Sequence, residues 1–357
     1  MSFPRNWRVA LWAVWLAAAA LLLLRFAEAP APAHAAQSSP PQPSPQSQEP
    51  GPRIRTTVSL VVVPVTVKGS AGELVTDLQQ SEFRVFEDGI EQEISQFSVE
   101  PFPLSAAVLV DNDLKRSTAE TVQESLQAVG GGFSARDEVS LWRFDQFPAM
   151  VADFLADNDA LLTQLKRVEL NSSVPGVGSA AMTQGPRVNT QPMPGAPPRA
   201  TLSLGVPTNK SIHDAIFAAG EQLRERPVER RKLIFLISDG QNGKNNTHSY
   251  EETLKLLQSA DISVYAIGVG EAGLNRGINI LARYAHATGG DIFYGSDREI
   301  LGQLYARVAE QARYQYTIAY APSKTNRNLP YHTIEVRVRR PGLSLLAREG
   351  YYPGGKL

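Results

Sequence analysis

Two apolar runs in this chain stop abruptly at carboxylates. AAVLV at 106–110 leads into Asp111 and Asp113, and LIFLIS at 233–238 leads into Asp239. Carboxylate oxygens are hard donors of the kind that hold Mg²⁺ or another divalent cation, and paired acids can also serve hydrolysis. Lys115, two residues beyond Asp113, is expected to keep the first pair ionised, which would remove the protonated acid that hydrolysis needs. Five scattered histidines, no HExxH, no GxSxG and no cysteine leave no nucleophile and base paired in sequence, so an enzyme is not expected. Gly268 to Gly273 spells GxGxxG, but it follows a late strand and the next acid, Asp291, begins a strand rather than ending one. It reads as a glycine-rich turn. Asn171-Ser172-Ser173 and Asn245-Asn246-Thr247 match glycosylation sequons and read as polar loops.

Continuous apolar runs that end in acids are what a parallel sheet, buried on both faces, presents at its carboxyl edge. Open α/β sheets bind their ligands there, where the strand order reverses. From 104 to 296 strand and helix patterns alternate. Strands are predicted at 105–111, 138–144, 149–154, 232–238, 262–268 and 291–294, and helices near 117–129, 157–169, 211–225, 249–259, 277–287 and 297–312. The helix at 211–225 carries an apolar face in Ile212, Ala215, Ile216, Ala219 and Leu223, and glycines at 130–132 and 289–290 stand where helices should stop. The alternation predicts an α/β, Rossmann-like, doubly wound sheet. The run at 149–154 follows its predecessor too closely for a helical crossover and is expected as an antiparallel edge. Residues 171–207 interrupt the pattern with a Pro, Gly, Ser and Asn-rich stretch, read as a disordered or functional loop insertion over the same edge.

Strand patterns flank this region on both sides. TTVSLVVVPVTVKG at 56–69 is β-branched, with Pro64 arguing for an edge strand or a bulge, and FRVFEDGIEQEI at 83–94 carries the hairpin signal Asp88-Gly89 between alternating runs, with Phe83, Val85, Ile90 and Ile94 as its core. YQYTIAYAP at 314–322 and YHTIEVRVRR at 331–340 alternate as well. Neither flank can bury a core alone, so the N-terminal β module at 55–103 and the C-terminal β segment at 313–357 are expected to pair in one β-sandwich, with the α/β domain of 104–312 inserted between them.

Ahead of these elements, Arg5 and Arg8 precede an apolar run at 9–24 and an Ala33-His34-Ala35 cleavage pattern, which reads as a signal peptide or signal anchor over 1–35. A Pro, Ser and Gln-rich linker at 36–54 follows. The expected location is extracytoplasmic, with membrane contact only through that N-terminal segment. A hydrophobic content of 43% fits a globular protein, and a net charge of −1 gives no electrostatic case for nucleic acid.

An Asp ending the first strand, a hydroxyl-bearing loop before a later helix and an SDG at the fourth strand together resemble the von Willebrand factor type A family over about 104–312. The blocks VVVPVTVKGSAGELVTDLQQSEFRVFEDGIEQEISQFS and IEVRVRRPGLSLLAREGYY resemble the bracketing strands of a bacterial, largely acidobacterial, secreted subfamily related to it. The resemblance implies a metal-ion-dependent adhesion site built from Asp-x-Ser-x-Ser, a Thr before a helix and a later Asp. This chain keeps Asp111 and Asp239. Asp113 and Lys115 stand where the two Ser are expected, and Lys210, with Ser211 next to it, where the Thr is. An ammonium has donors only and cannot coordinate a cation.

Two arrangements of Asp111, Asp113 and Asp239 with the lysines are open: a divalent cation with the lysines turned away, or ammoniums in the cation's place. The second is favoured, because a dication about 4 Å from an ammonium is repelled by roughly 8 kcal/mol at an effective dielectric near 20. The function expected is an exported, non-enzymatic binding module that recognises a protein or exposed ligand at the carboxyl edge. The alternative is a structural component of the cell envelope with a vestigial site, and a hydrolytic enzyme ranks behind both.

Overall fold

A computed structural model describes residues 60–170, 210–274, 279–322 and 329–353, together with the backbone of 172–173, 187–188 and 191–192. The signal segment and linker expected over 1–54, and most of the loop expected over 171–207, lie outside the described residues. The strands are β1 (Val61–Lys68), β2 (Phe83–Glu87), β3 (Ile90–Gln92), β4 (Ile94–Ser98), β5 (Leu104–Asp111), β6 (Glu138–Phe144), β7 (Pro148–Leu155), β8 (Arg231–Ser238), β9 (Ile262–Gly268), β10 (Ile292–Tyr294), β11 (Tyr316–Tyr320), β12 (His332–Val338), β13 (Ser344–Ala347) and β14 (Gly350–Tyr351). The helices are α1 (Arg116–Ser125), α2 (Asn158–Arg167), α3 (Ile212–Arg224), α4 (Tyr250–Ser259), α5 (Ile280–Ala287) and α6 (Arg298–Arg313).

The central sheet runs β10-β9-β8-β5-β6-β7. All its ladders are parallel except β6–β7, so β7 is the antiparallel edge that its short connection requires. Every residue of β5 and β8 is buried, because helices cover both faces. Val108 and Val110 of β5 meet Val122, Leu161, Leu301 and Tyr305 from α1, α2 and α6. Ala107 and Leu109 meet Ile212, Ile216, Leu257 and Leu281 from α3, α4 and α5. That two-sided cover is why the runs are apolar at every position rather than at alternate ones. The predicted helix at 117–129 is broken: α1 ends at Ser125 and a separate turn occupies Gln127–Gly130. The predicted helix at 277–287 begins at Ile280, where the Asn279 side chain accepts from the Ala282 amide as an N-cap.

Two four-stranded sheets, β13-β1-β11-β4 and β14-β12-β2-β3, flank this domain. Each takes two strands from before the α/β domain and two from after it. Their shared core gathers Val63, Val65, Phe83, Val85, Tyr316 and Ile318, with the Phe83, Phe97 and Tyr316 rings 5.0–5.7 Å apart. The β2–β3 turn is the expected two-residue hairpin, with Asp88 and Gly89 at φ of 49° and 80°, the left-handed pair of a type I′ turn. Two details differ from expectation. Ile90 is exposed, Gln92 takes the inward position on β3, and Ile94 belongs to the other sheet, because the twist of a tight hairpin separates the two residues. Pro64 lies in a strand paired on both sides, not at an edge. It opposes Thr317 of β11, and the ladder with β13 begins only at Val65, so the missing amide falls outside the second ladder.

Ending the chain after Arg313 removes half the strands of each flanking sheet. Hydrogen exchange at Val61–Lys68 is expected to rise to the rate of open backbone in that truncation; unchanged protection would show that the N-terminal strands hold together without the tail.

Candidate functional site

The reversal of strand order falls between β5 and β8, and the carboxyl ends of these two strands carry the acids. Asp111, the last residue of β5, is fully buried, and Asp239 follows β8 directly and is also buried. Lys210 precedes α3 and is strapped at its backbone. Its carbonyl accepts from the Gly243 amide at 2.7 Å, and the next amide, of Ser211, donates to the Asp145 carbonyl at 2.8 Å. The first amides of α3 are taken by side chains from the loop after β8: Ile212 donates to Asn242 Oδ1 and His213 to Asn246 Oδ1. Held in this way, Lys210 projects into the crevice, and its Nζ donates to Asp111 Oδ2 at 3.0 Å and Asp239 Oδ2 at 2.9 Å. The lysine is 2% exposed, so this is an internal bridge rather than a surface pair.

The remaining valences of the two acids are met locally. Asp111 Oδ2 also accepts from Ser238 Oγ at 2.7 Å, and Oδ1 accepts from the Asp113 amide at 3.0 Å. Asp239 Oδ1 accepts from the Gln241 amide at 3.0 Å. Burial pushes Asp111 up to about 6 even though Lys210 opposes the rise. Burial pulls Lys210 down, but Asp111 and Asp239 outweigh it and hold the ammonium above its ordinary range. Asp113 stands at the half-buried rim and is raised by desolvation, against the pull of Lys210.

The two lysines part company. Lys115 is exposed and pairs with Glu271 across the rim, so the expectation that it shares the acidic cluster is corrected: its ammonium is held by that carboxylate instead. Glu271 also accepts from Gln241 Nε2 at 2.8 Å. Ser211 Oγ does not cap α3; it donates to the carbonyls of Asp145 and Gln146 and ties the helix start to the β6–β7 loop. The GxGxxG stretch forms a 3₁₀ turn at Gly270–Gly273, with Gly270 at φ 54°. Sequence reasoning missed Ser238, Asn112, Asp145 and Glu271. Asn112 is buried and donates to Asp145 Oδ2 at 3.1 Å. The Ser of SDG at 238–240 was the one signal available among these.

A divalent cation does not fit this arrangement. The oxygens of Asp111 and Asp239 that would face it are both bonded to Lys210 Nζ, and a buried ammonium has no solvent to withdraw into. An ion beside it would meet a repulsion of roughly 8 kcal/mol at about 4 Å.

Residues 206–307 match the family model described as von Willebrand factor type A domain, and the doubly wound sheet has the fold of that family. Among solved structures, the chain is similar to a von Willebrand factor type A protein from Catenulispora acidiphila, at 8% identity and a TM-score of 0.42, covering 84% of this chain and 76% of that one. It is similar to proximal thread matrix protein 1 from the mussel byssus, at 11% identity and a TM-score of 0.40 over 60% of this chain, and spans 49% of that protein's length. It is also similar to the conserved hypothetical protein BatB from Bacteroides thetaiotaomicron, at 12% identity and a TM-score of 0.36, covering 58% of this chain and 99% of that one. No curated protein matches the chain.

Proposed function

We propose that this is an exported, non-enzymatic binding protein that recognises a protein partner at the carboxyl edge of its central sheet without a bound metal. The observation that carries the reading is the Lys210 ammonium bridging Asp111 and Asp239, which fills the position a cation would take and leaves recognition to the rim. That rim offers mixed chemistry: the half-buried Asp113, the Lys115–Glu271 pair, and two exposed apolar side chains in loops leaving the strand ends, Phe147 and Leu274, at 74% and 83% exposure. Aromatic side chains with a polar, charged rim are the usual composition of a protein interface. Export rests on the N-terminal apolar run at 9–24, and the assignment to the bacterial secreted subfamily rests on the flanking blocks quoted above. Asp111 and Asp239 are committed to Lys210, which leaves neither to serve as the acid or base of a hydrolase.

The test is capture from envelope extract with the wild type and with Phe147→Ala combined with Asp113→Ala, each in chelator and in Mg²⁺. Partners are expected to be the same in both buffers and to be lost from the double variant. Partners retained by the double variant favour the second reading, a structural component of the envelope whose edge is vestigial, as the closed cation position also allows. Partners lost in chelator would return the chain to metal-dependent adhesion.

A further inference from the structure

We propose that the end of the flanking sandwich where Glu87, Asp88 and His332 meet is a binding site for one divalent cation of the zinc class. The site uses none of the acids of the central sheet. Glu87 ends β2, Asp88 opens the hairpin turn, and His332 begins β12, which pairs with β2. One ligand atom from each lies within 4.8 Å of the others. His332 Nδ1 is 2.7 Å from Asp88 Oδ2 and 3.9 Å from Glu87 Oε1. A tetrahedral ion with bonds of about 2.0–2.1 Å needs its ligand atoms roughly 3.3 Å apart, so the two separations from His332 would each have to change by about 0.6 Å.

Burial separates this cluster from ordinary surface acids. Glu87 and His332 are each 3% exposed. Among the described residues, His332 is the one basic group within ion-pair distance of Glu87. Two carboxylates and a neutral imidazole balance the charge of one dication. Arg348, whose guanidinium stands 5.7 Å from the Tyr351 ring, is already committed to Asp261 and to the carbonyls of Val62 and Gln258.

A second, independent feature points the same way. Tyr320, at the end of β11 in the opposite sheet, is fully buried, and its hydroxyl makes no hydrogen bond. It stands beside the Glu87 carboxylate without the geometry of a hydrogen bond. A buried hydroxyl left in this state calls for a partner between it and Glu87. Tyr351 donates to Glu87 Oε2 at 3.1 Å and Thr333 to Asp88 Oδ1 at 3.0 Å, which orients both carboxylates toward the imidazole as outer partners orient metal ligands. One nitrogen and two or three oxygens at close range suit Zn²⁺ better than Mg²⁺ or Ca²⁺, which prefer six or more oxygens.

The experiment is titration of tag-free, chelator-treated full chain with Zn²⁺ by calorimetry, with melting followed in parallel and Co²⁺ used as an absorbing substitute. The expected result is one ion per chain, a Tm higher by roughly 5 °C at a hundredfold excess over Kd, and visible Co²⁺ bands. Mg²⁺ should leave Tm unchanged. Binding should vanish in His332→Ala and in Glu87→Gln; the latter keeps the shape and the acceptor for Tyr351 and remains readable where the former fails to fold. Absence of binding in the wild type, binding undiminished in Glu87→Gln, or binding abolished instead by Asp113→Asn at the sheet edge would overturn the proposal.

Discussion

Replacing Lys210 with methionine is expected to lower stability by about 3–5 kcal/mol at neutral pH, the range for removing one partner of a buried ion pair. The lysine is 2% exposed and its two carboxylate partners lie at 2.9 and 3.0 Å, so the variant keeps two buried anions with no counter-ion. The pH dependence separates this cause from simple mispacking. Lys210 is raised in the folded state, so its contribution is fully present below the unfolded value near 10.4 and is lost only as pH rises through the folded value, in the alkaline range. Asp111 is raised to about 6 with the lysine in place and rises further without it. A raised carboxyl contributes stability below its unfolded value near 3.9, and that stability is lost as pH climbs through the folded value. The deficit of the variant should therefore be smaller at pH 5 than at pH 8 in urea melts. Lys210→Thr, which supplies a hydroxyl oxygen, should recover part of the loss on addition of Mg²⁺, whereas the wild type should not respond. Equal deficits at both pH values, or strong Mg²⁺ stabilisation of the wild type, would sink the internal-cation account.

Gly290→Ala is expected to cost about as much, on the order of 3–5 kcal/mol, or to prevent folding. A Cβ at this position would stand 1.9 Å from the Val264 carbonyl oxygen and 2.6 Å from its carbon. Both are backbone atoms of β9, a central strand, and no rotamer change can relieve the contact. The residue before it, Gly289, has φ 75° and faces the backbone of Ala347 and Arg348, so the chain cannot shift the other way. Gly273→Ala, where nothing lies within 4 Å, is the control and should fall within about 1 kcal/mol of the wild type. Comparable stability of the two variants in denaturant would show that β9 yields where its packing says it should not.

The contrast between Gly290 and the acids shows what the sequence could and could not reveal. The glycine pair was legible as a helix stop, but its close approach to β9 depends on which strand lies beneath it. The runs ending at Asp111 and Asp239 were legible because burial on both faces removes the alternation that surface strands show. The antiparallel β7 followed from a connection too short for a helix. The split between the lysines was not legible: Lys115 and Lys210 have the same chemistry, and the backbone straps on Lys210 from Gly243 and on Ser211 from Asp145 hold Lys210 where it turns inward. Glu271, 156 residues from Lys115, had no local signal at all. Pro64 misled because proline reports a missing amide and not which side of the strand it faces.

The interleaving of the two flanks also sets a clock on synthesis. Thr66 Oγ1 accepts from Gln315 Nε2, 249 residues further on. At about 5–20 residues per second, roughly 10–50 s pass between the making of the first strand and the arrival of its partners. Through that interval VVVPVTVK is a β-branched segment with both edges open, the kind of stretch that nucleates pairing between nascent copies. Pro64 withholds a donor from the middle of that template and Lys68 places a charge at its end. The finished sandwich loses nothing by it, because the ladder with β13 begins one residue later, at Val65.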